Sequence, residues 1–212
     1  MVKVQGAQGD WRAARRRSAR DAIVGAAWAL VERDGLAALT LRDLAREAGI
    51  TTPTVYAYFD SKTAIYDAMF GQAAEHFGDL MAAIPDSGDV RADLIEATYR
   101  FAEYCLHNPA RYQLLFQRTI PDFEPSPQSY AHAVAALGRA RDRLDKAGIS
   151  EPRHLDLWTA LTTGLVDQQI SNDPGGDRWL RLVEEAVDMF LTHCASTSTA
   201  AVEAPKRKRA RQ

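Results

Sequence analysis

The chain has 212 residues, of which 46% are hydrophobic and 25% are charged, and its net charge is −2. This length suits one large domain, or a small domain beside a larger one, with enough apolar residues for a sizeable core. There is no run of 18 apolar residues and no apolar signal-peptide core, which argues against a membrane-spanning helix or an export signal. Cys105 and Cys194 lie far apart in helical patterns, which favours two buried thiols in a reducing cytoplasm over a disulfide bond.

The charges are unevenly distributed along the chain. Residues 1–20 carry a net charge of +5 and residues 195–212 carry +4, so the stretch between them carries −11. DNA would repel such an acidic body except at its basic ends, and this asymmetry indicates contact with nucleic acid. For the C-terminal basic residues, an equally good interpretation is that they keep the protein soluble.

The apolar residues recur at helical spacing throughout, with no strand pattern and no internal repeat, so the predicted fold class is all-α. Residues 1–17 are rich in Gly, Gln and Arg, which predicts a disordered basic arm. A first helix is predicted over residues 18–34, with Gly35 ending it. Its inner stripe is Ile23, Ala27, Leu30 and Val31.

The segment from Thr40 to Lys62, TLRDLAREAGITTPTVYAYFDSK, predicts two short helices joined by a tight turn. Thr40 is a good N-cap for the first of them. Gly49 can adopt the left-handed conformation that ends that helix, and Pro53 is tolerated where the next one starts. Two short helices with a glycine in the turn are the signature of a helix-turn-helix, whose second helix enters the major groove. The buried face of the first short helix is predicted to be Leu41, Leu44, Ala45 and Ala48.

The longer segment GLAALTLRDLAREAGITTPTVYAYFDSKTAIYDAMF closely resembles the N-terminal domain of TetR-type transcriptional regulators. The match runs from about Ser18 to Phe70 and includes the Gly35 turn, the Thr-Val-Tyr-x-Tyr-Phe helix and the Ser-Lys opening of the next helix. Beyond Phe70 the match is only in length and helical character.

The resemblance implies that the start of the third helix reads DNA bases. Threonine hydroxyls there can bond to base edges, and a threonine methyl or Pro53 can pack on a thymine methyl. Arg42 suits a guanine edge or a phosphate, whereas tyrosine hydroxyls and Lys62 suit phosphates. The simpler alternative is a solvated side chain for each residue, or a helix cap for Thr40. The expected DNA-binding residues are Thr40, Arg42, Thr51, Thr52, Pro53, Thr54, Tyr56, Tyr58 and Lys62.

The rest of the chain predicts a larger helical domain that binds a ligand and forms a dimer. Its longer helices are expected from Ser61 to Ile84, Val90 to His107, Ser129 to Ala147, Pro152 to Ser171 and Trp179 to Cys194. A shorter helix is expected to begin at Pro109. The predicted organisation is a basic arm over 1–17, a DNA-binding domain over 18–62, the larger domain over 63–194, and a disordered basic tail over 195–212.

In TetR-like proteins the last two helices form a four-helix bundle across a two-fold axis, so a homodimer on a near-palindromic site of double-stranded DNA is expected. The alternative is that the apolar stripes of these helices, with Trp158 and Trp179, are buried within one chain. The intervening helices would enclose a pocket for an unidentified apolar or amphipathic effector, although each candidate wall residue also suits plain packing. The candidate wall residues are Phe77, Met81, Phe101, Tyr104, Phe116 and Trp158.

No pattern in the sequence indicates catalysis. There is no Gly-rich phosphate loop, no H-E-x-x-H motif and no Cys/His cluster, so no catalytic residue, metal site or cofactor is expected. The predicted function is a sequence-specific DNA-binding transcriptional regulator, a repressor released by a ligand. The alternative is an architectural or partner-recruiting DNA-binding protein with no small-molecule ligand. A cavity with a few convergent polar groups would favour the first function, and a space filled by side chains the second.

Overall fold

The structure, a computed structural model, describes the backbone of residues 5–203 and the side chains of residues 11–197. The basic residues 206–211 of the predicted tail lie outside the described residues. Within residues 5–203 the chain forms helices and no strand, which confirms the predicted all-α class. No helix in this range is long and apolar enough to cross a membrane. The helices are α1 (Gln5–Asp34), α2 (Leu41–Glu47), α3 (Thr52–Tyr56), α4 (Lys62–Ala82), α5 (Val90–His107), α6 (Pro109–Phe116), α7 (Pro127–Lys146), α8 (Pro152–Asn172) and α9 (Val183–Glu203), with short 3-10 helices at Leu36–Ala38 and Leu180–Leu182.

The short helices begin and end at the residues whose chemistry predicts it. The Thr40 hydroxyl accepts a hydrogen bond from the Asp43 amide at 3.1 Å, which caps α2. Gly49 has φ of 66°, a conformation that costs glycine little. The chain there turns back so that the Ile50 amide bonds to the Ala45 carbonyl at 2.9 Å, which closes α2 with a Schellman motif.

Both ends of the chain are more helical than predicted. Helix α1 begins at Gln5 rather than at Ser18, so the arm that was expected to be disordered is helical from Gln5 onward. Helix α9 continues to Glu203 rather than ending at Cys194. In both cases the middle of the helix is packed through its apolar face. Further turns can then be added at the free end without the cost of nucleating a new helix. Alanine and arginine, frequent in residues 11–17, also have high helix propensity.

The chain divides into two compact units. The first extends to Asp79 and resumes from His107 to Ala135, and the second covers Leu80–Leu106 and continues from Ala136. The predicted boundary lies after Lys62, whereas most of α4 belongs to the first unit, which extends to Asp79. Helix α7 likewise contributes residues to both units.

Each unit has its own core. In the first unit, buried side chains from α1 to α4 pack together with part of α6, and the Tyr66 hydroxyl donates to the Leu36 carbonyl. In the second unit, the core joins α5, α7, α8 and α9. On its surface Arg91 of α5 bonds Asp188 of α9 through two nitrogens, at 2.6 and 3.0 Å. The largest core side chains of the second unit include Leu94, Leu144, Trp158, Val187 and Phe190.

Candidate nucleic-acid interface

Helix α3 has five residues, Thr52–Tyr56, and is held to the first unit by its inner side. Val55 within it and Phe59 just beyond it are fully buried. Because side chains four residues apart share a helix face, the residues between them point elsewhere, and Tyr56 is 52% exposed. The nine residues predicted to bind DNA lie between the N-cap of α2 and the first residue of α4, and none of them is buried.

Three of the predicted threonines make hydrogen bonds within the protein. The Thr51 hydroxyl oxygen lies 3.3 Å from the Thr54 amide, which caps α3, and 2.8 Å from the Thr54 hydroxyl. The Thr40 hydroxyl donates to the Asp43 carboxylate at 2.6 Å, and this bond is the main reason why the pKa of Asp43 is lowered. Thr40 therefore caps a helix, the alternative that its position suggested. Because a phosphate oxygen only accepts hydrogen bonds, the Thr40 hydroxyl could bond phosphate only by giving up its bond to Asp43.

Four other side chains from the predicted set remain available to a partner. Among the described residues, Arg42, Thr52, Tyr56 and Lys62 show no side-chain hydrogen bond or ion pair. The Lys62 ammonium lies 5.3 Å from the centre of the Tyr66 ring, which holds it near the start of α4. These four residues offer a guanidinium, two hydroxyls and an ammonium, the groups that bind base edges and phosphates. Of the remaining two, Pro53 is exposed and Tyr58 is half-buried.

The structure also shows two arginines of α1 that contact the end of α3, a contact that the sequence analysis did not predict. Arg16 donates to the Ala57 carbonyl at 3.3 Å, and Arg20 donates to the Tyr58 carbonyl at 2.5 Å. Both carbonyls follow directly after α3. Their spacing in the sequence could have indicated that both face the core side of α1. Arg16 and Arg20 are four residues apart and continue, toward the N-terminus, the helix face whose buried residues start at Ile23.

The six candidate residues for the pocket wall are divided between the two units. In the first unit, the rings of Phe77 and Phe116 meet edge to face with centres 5.4 Å apart, and Phe116 is 37% exposed. In the second unit, Phe101 and Tyr104 are buried, Met81 is half-buried, and Trp158 packs on Phe190 at 5.1 Å. A common pocket formed by all six remains a prediction.

Both cysteines are buried and free, and burial raises the pKa of the Cys105 thiol. In the part of the chain that the structure describes, no three His, Cys, Asp or Glu side chains are placed to hold a metal ion. The buried thiols are therefore core residues in this structure, since a reactive cysteine needs an exposed thiolate.

Comparison with known proteins identifies the family. Residues 23–69 match the model of bacterial regulatory proteins of the tetR family. An HTH-type transcriptional regulator of Mycobacterium bovis is 28% identical over 185 residues, which cover 79% of this chain and 76% of the relative. A solved protein of unknown function from Rhodococcus sp. RHA1 has a TM-score of 0.69 at 19% identity, covering 82% of this chain and 94% of that one.

A solved tetR-family transcriptional regulator from Streptomyces coelicolor has a TM-score of 0.65 at 21% identity, covering 85% of this chain and 84% of that one. At these identities the two solved structures show the fold alone. The family model covers the helix-turn-helix described above, and the Mycobacterium relative is named for the same kind of DNA-binding domain. Residues 23–69 are therefore a DNA-binding domain of the tetR type, and the chain is similar over most of its length to HTH-type transcriptional regulators.

Proposed function

We propose that this regulator binds one near-palindromic DNA sequence as a homodimer and represses transcription until a small molecule releases it. The observation that carries the proposal is the set of four uncommitted side chains around α3, namely Arg42, Thr52, Tyr56 and Lys62. A helix of this size fits the major groove, where the base edges present their full pattern of donors and acceptors. Thr52 and Arg42 are assigned to bases, and Tyr56 and Lys62 to phosphates.

Charge at the start of α1 supports the same function. Arg12, Arg15 and Arg17 are exposed there, and among the described side chains none of them forms an ion pair. The Arg15 guanidinium lies over the Trp11 ring at 5.6 Å. Exposed guanidinium groups beside a DNA-binding helix can neutralise phosphates and raise the affinity at low salt.

The proposal of a homodimer rests on the outer face of α8. Leu157, which is 45% exposed, is followed at helical spacing by apolar and small residues that are exposed or half-buried. Met189 on α9 is 62% exposed. Single exposed apolar residues need no explanation, but a stripe along one helix does, and burial against a second copy provides one. The stripe on α8 consists of Leu157, Ala160, Leu161, Gly164 and Leu165.

The proposal of an effector rests on a cavity of about 400 Å³ within the second unit, a volume in the usual range for small-molecule sites. Its wall combines apolar side chains with charged residues of both signs, and two of these, Lys146 and Asp86, pair with each other at 2.8 Å. Arg143 there donates one hydrogen bond, to the Ile84 carbonyl at 3.2 Å, and has no carboxylate partner within 4 Å among the described residues. An amphipathic effector with an anionic group would suit this wall. Of the six predicted wall residues, only Met81 lines this cavity; its other apolar lining residues are Ala82, Ile84, Val90 and Ala147.

The second candidate function is a DNA-binding protein that recruits a protein partner and senses no small molecule. It is favoured by Tyr130 and Val134, one turn apart on α7 and each 53% exposed. Such exposed apolar side chains at helical spacing suit contact with another protein.

One measurement tests DNA recognition, which both functions share, and two more distinguish the functions. Selection from random duplexes with the full-length protein should yield one near-palindrome, and a failure to enrich any sequence would reject the proposal. Amphipathic acids should then be screened for release of the selected DNA. A true effector should weaken DNA binding by about 1–3 kcal/mol. Arg143→Met should blunt that response, whereas Arg153→Met, at an exposed arginine outside the cavity lining, should preserve it. If no compound releases DNA while Val134→Glu abolishes regulation in cells, the second function holds.

A further inference from the structure

Helix α3 cannot hold its own orientation, because it contains only one and a half turns. Helices this short are unstable in isolation, since nucleation costs more than a single turn regains. At its N-terminus the Thr51 side chain caps it. At its C-terminus the Ala57 and Tyr58 carbonyls need partners from elsewhere in the protein.

Helix α1 provides those partners through two arginines. Arg16 and Arg20 donate to the Ala57 and Tyr58 carbonyls, and a cation at this end of a helix also opposes the negative end of the helix dipole. The same two guanidinium groups lie over aromatic rings. Arg20 is 4.1 Å from the centre of the Phe59 ring, and Arg16 is 5.7 Å from that of Tyr58. Arg20 is half-buried, so the contact is shielded from competing water.

We propose that Arg20, with Arg16 beside it, is a positioning residue for DNA recognition. It fixes the angle of α3 and thereby places Thr52 at the base edges, and its own guanidinium takes no part in binding DNA phosphates. This inference rests on the proposed function of α3 in reading DNA.

The position of the arginines explains why they matter for sequence preference. Small displacements at the base of a five-residue helix move its N-terminal side chains relative to the bases. Hydrogen bonds to base edges depend on this geometry, whereas long-range attraction to phosphates depends on charge and is insensitive to it. Loosening α3 should therefore reduce discrimination between sequences more than it reduces affinity for DNA in general.

The test compares Arg20→Met with Arg17→Met in the full-length protein. Both changes remove one positive charge from α1, but Arg17 is exposed and makes no side-chain hydrogen bond among the described residues. The readouts are the ratio of operator to non-specific affinity, the slope of log Kd against log salt concentration, and the melting temperature. Arg20→Met should lower the affinity ratio about tenfold, comparable to losing one good base contact. Its salt slope should stay that of the wild type, and Arg20→Lys should restore part of the lost ratio. Arg17→Met removes one of the exposed charges assigned to phosphates, so it should keep the wild-type ratio while its salt slope falls.

Three results would overturn the inference. A salt slope smaller by about 0.9 in Arg20→Met, with the ratio unchanged, would make Arg20 a phosphate contact. A lower melting temperature with the ratio unchanged would make it a purely structural residue. If Arg20→Met does not fold, Arg16→Met at the exposed end of the pair must show the reduced ratio, and a normal ratio there rejects the idea. The wild type is measured first, because a wild type without sequence preference rejects the proposed function and this inference together, whereas an unchanged ratio rejects only the inference.

Discussion

Thr51 and Thr54 hydrogen-bond to each other through their hydroxyl groups, with the two oxygens 2.8 Å apart. The Thr51 oxygen also lies within hydrogen-bonding distance of the Thr54 amide. These contacts orient both side chains at the start of α3 before DNA arrives, and they leave Thr52 as the threonine of this turn whose hydroxyl is uncommitted among the described residues. The three threonines, which look equivalent in the sequence, therefore have different roles.

The first prediction separates Thr52 from Thr51. Thr52→Val keeps the shape of the side chain and removes a hydroxyl that has no partner in the protein. Stability should change by less than about 0.5 kcal/mol, while preference at one base position should fall by about 1–3 kcal/mol. Thr51→Ala removes a cap and should cost about 1 kcal/mol of unfolding free energy, with weaker binding to all sequences. Urea unfolding and selection from random duplexes measure the two effects, and identical selected sequences for Thr52→Val and wild type would contradict this assignment.

The second prediction concerns the phosphate contacts of Lys62 and Tyr56. Lys62→Ala should weaken binding to every sequence and reduce the salt slope by about 0.9, because one counterion fewer is released. Tyr56→Phe removes a neutral hydroxyl and should weaken binding to all sequences with the slope unchanged. Lys146→Ala is the control, since Lys146 is paired with Asp86 at 2.8 Å in the second unit and should leave both quantities unchanged. A full wild-type slope in Lys62→Ala would exclude Lys62 from the interface.

The local features of the DNA-binding segment could be predicted from sequence because their causes lie within a few residues. The Thr40 cap and the Gly49 turn depend on a side chain and a backbone conformation at the helix end itself. The contacts of Arg16 and Arg20 with the end of α3 could not be predicted in this way. They join residues 41 and 38 positions apart, and spacing along one helix does not show which other helix it meets.

The same reason explains the outcome for the pocket wall. Apolar spacing placed Phe77, Phe101 and Trp158 on helices, but it could not show that Phe77 belongs to the first unit and the other two to the second, because α4 passes from one unit to the other. Helix ends were also underestimated at both termini, since composition indicates disorder while an adjoining packed helix favours continuation.

The third prediction concerns Trp158, whose role as core or as pocket wall the sequence left open. Trp158 is buried and packs on Phe190, so Trp158→Ala should reduce the unfolding free energy by about 3–5 kcal/mol. Phe116→Ala, at a more exposed ring, should cost clearly less. Urea unfolding of both variants decides the question, and a Trp158→Ala protein as stable as wild type would point to a wall lining empty space.

The fourth prediction concerns assembly. Leu157→Glu and Met189→Glu put charges on the outer faces of α8 and α9 and should convert a dimer to monomers, because burying an unpaired carboxylate in an apolar interface is costly. Val134→Glu on α7 is the control, since Val134 is comparably exposed but lies outside the proposed interface. Light scattering at micromolar concentration measures the mass. A monomeric wild type, or a dimer disrupted by Val134→Glu alone, would show that the interface is misplaced.

The fifth prediction follows from His154, which lies in the first turn of α8 and is 1% exposed. Its Nδ1 atom is buried without a hydrogen-bond partner among the described residues, and its Nε2 atom lies 3.3 Å from the Thr197 hydroxyl. Burial lowers the pKa of His154, and the nearby Arg153, His193 and Arg141 lower it further, against an opposing effect of Glu151. A positive charge at a helix N-terminus is unfavourable as well.

The sign of the pH effect follows from that lowered pKa. Above about pH 6.5, the ordinary histidine pKa, the ring is neutral in both the folded and the unfolded chain and contributes no pH dependence. Below it the unfolded chain takes up a proton that the folded chain resists, so the unfolding free energy should fall with decreasing pH until the lowered folded pKa is reached. His154→Asn should flatten this fall in urea unfolding between about pH 7 and 5, whereas His132→Asn, at an exposed site on α7, should preserve it. If His154→Asn loses stability with pH as steeply as wild type does, the destabilisation arises from other groups.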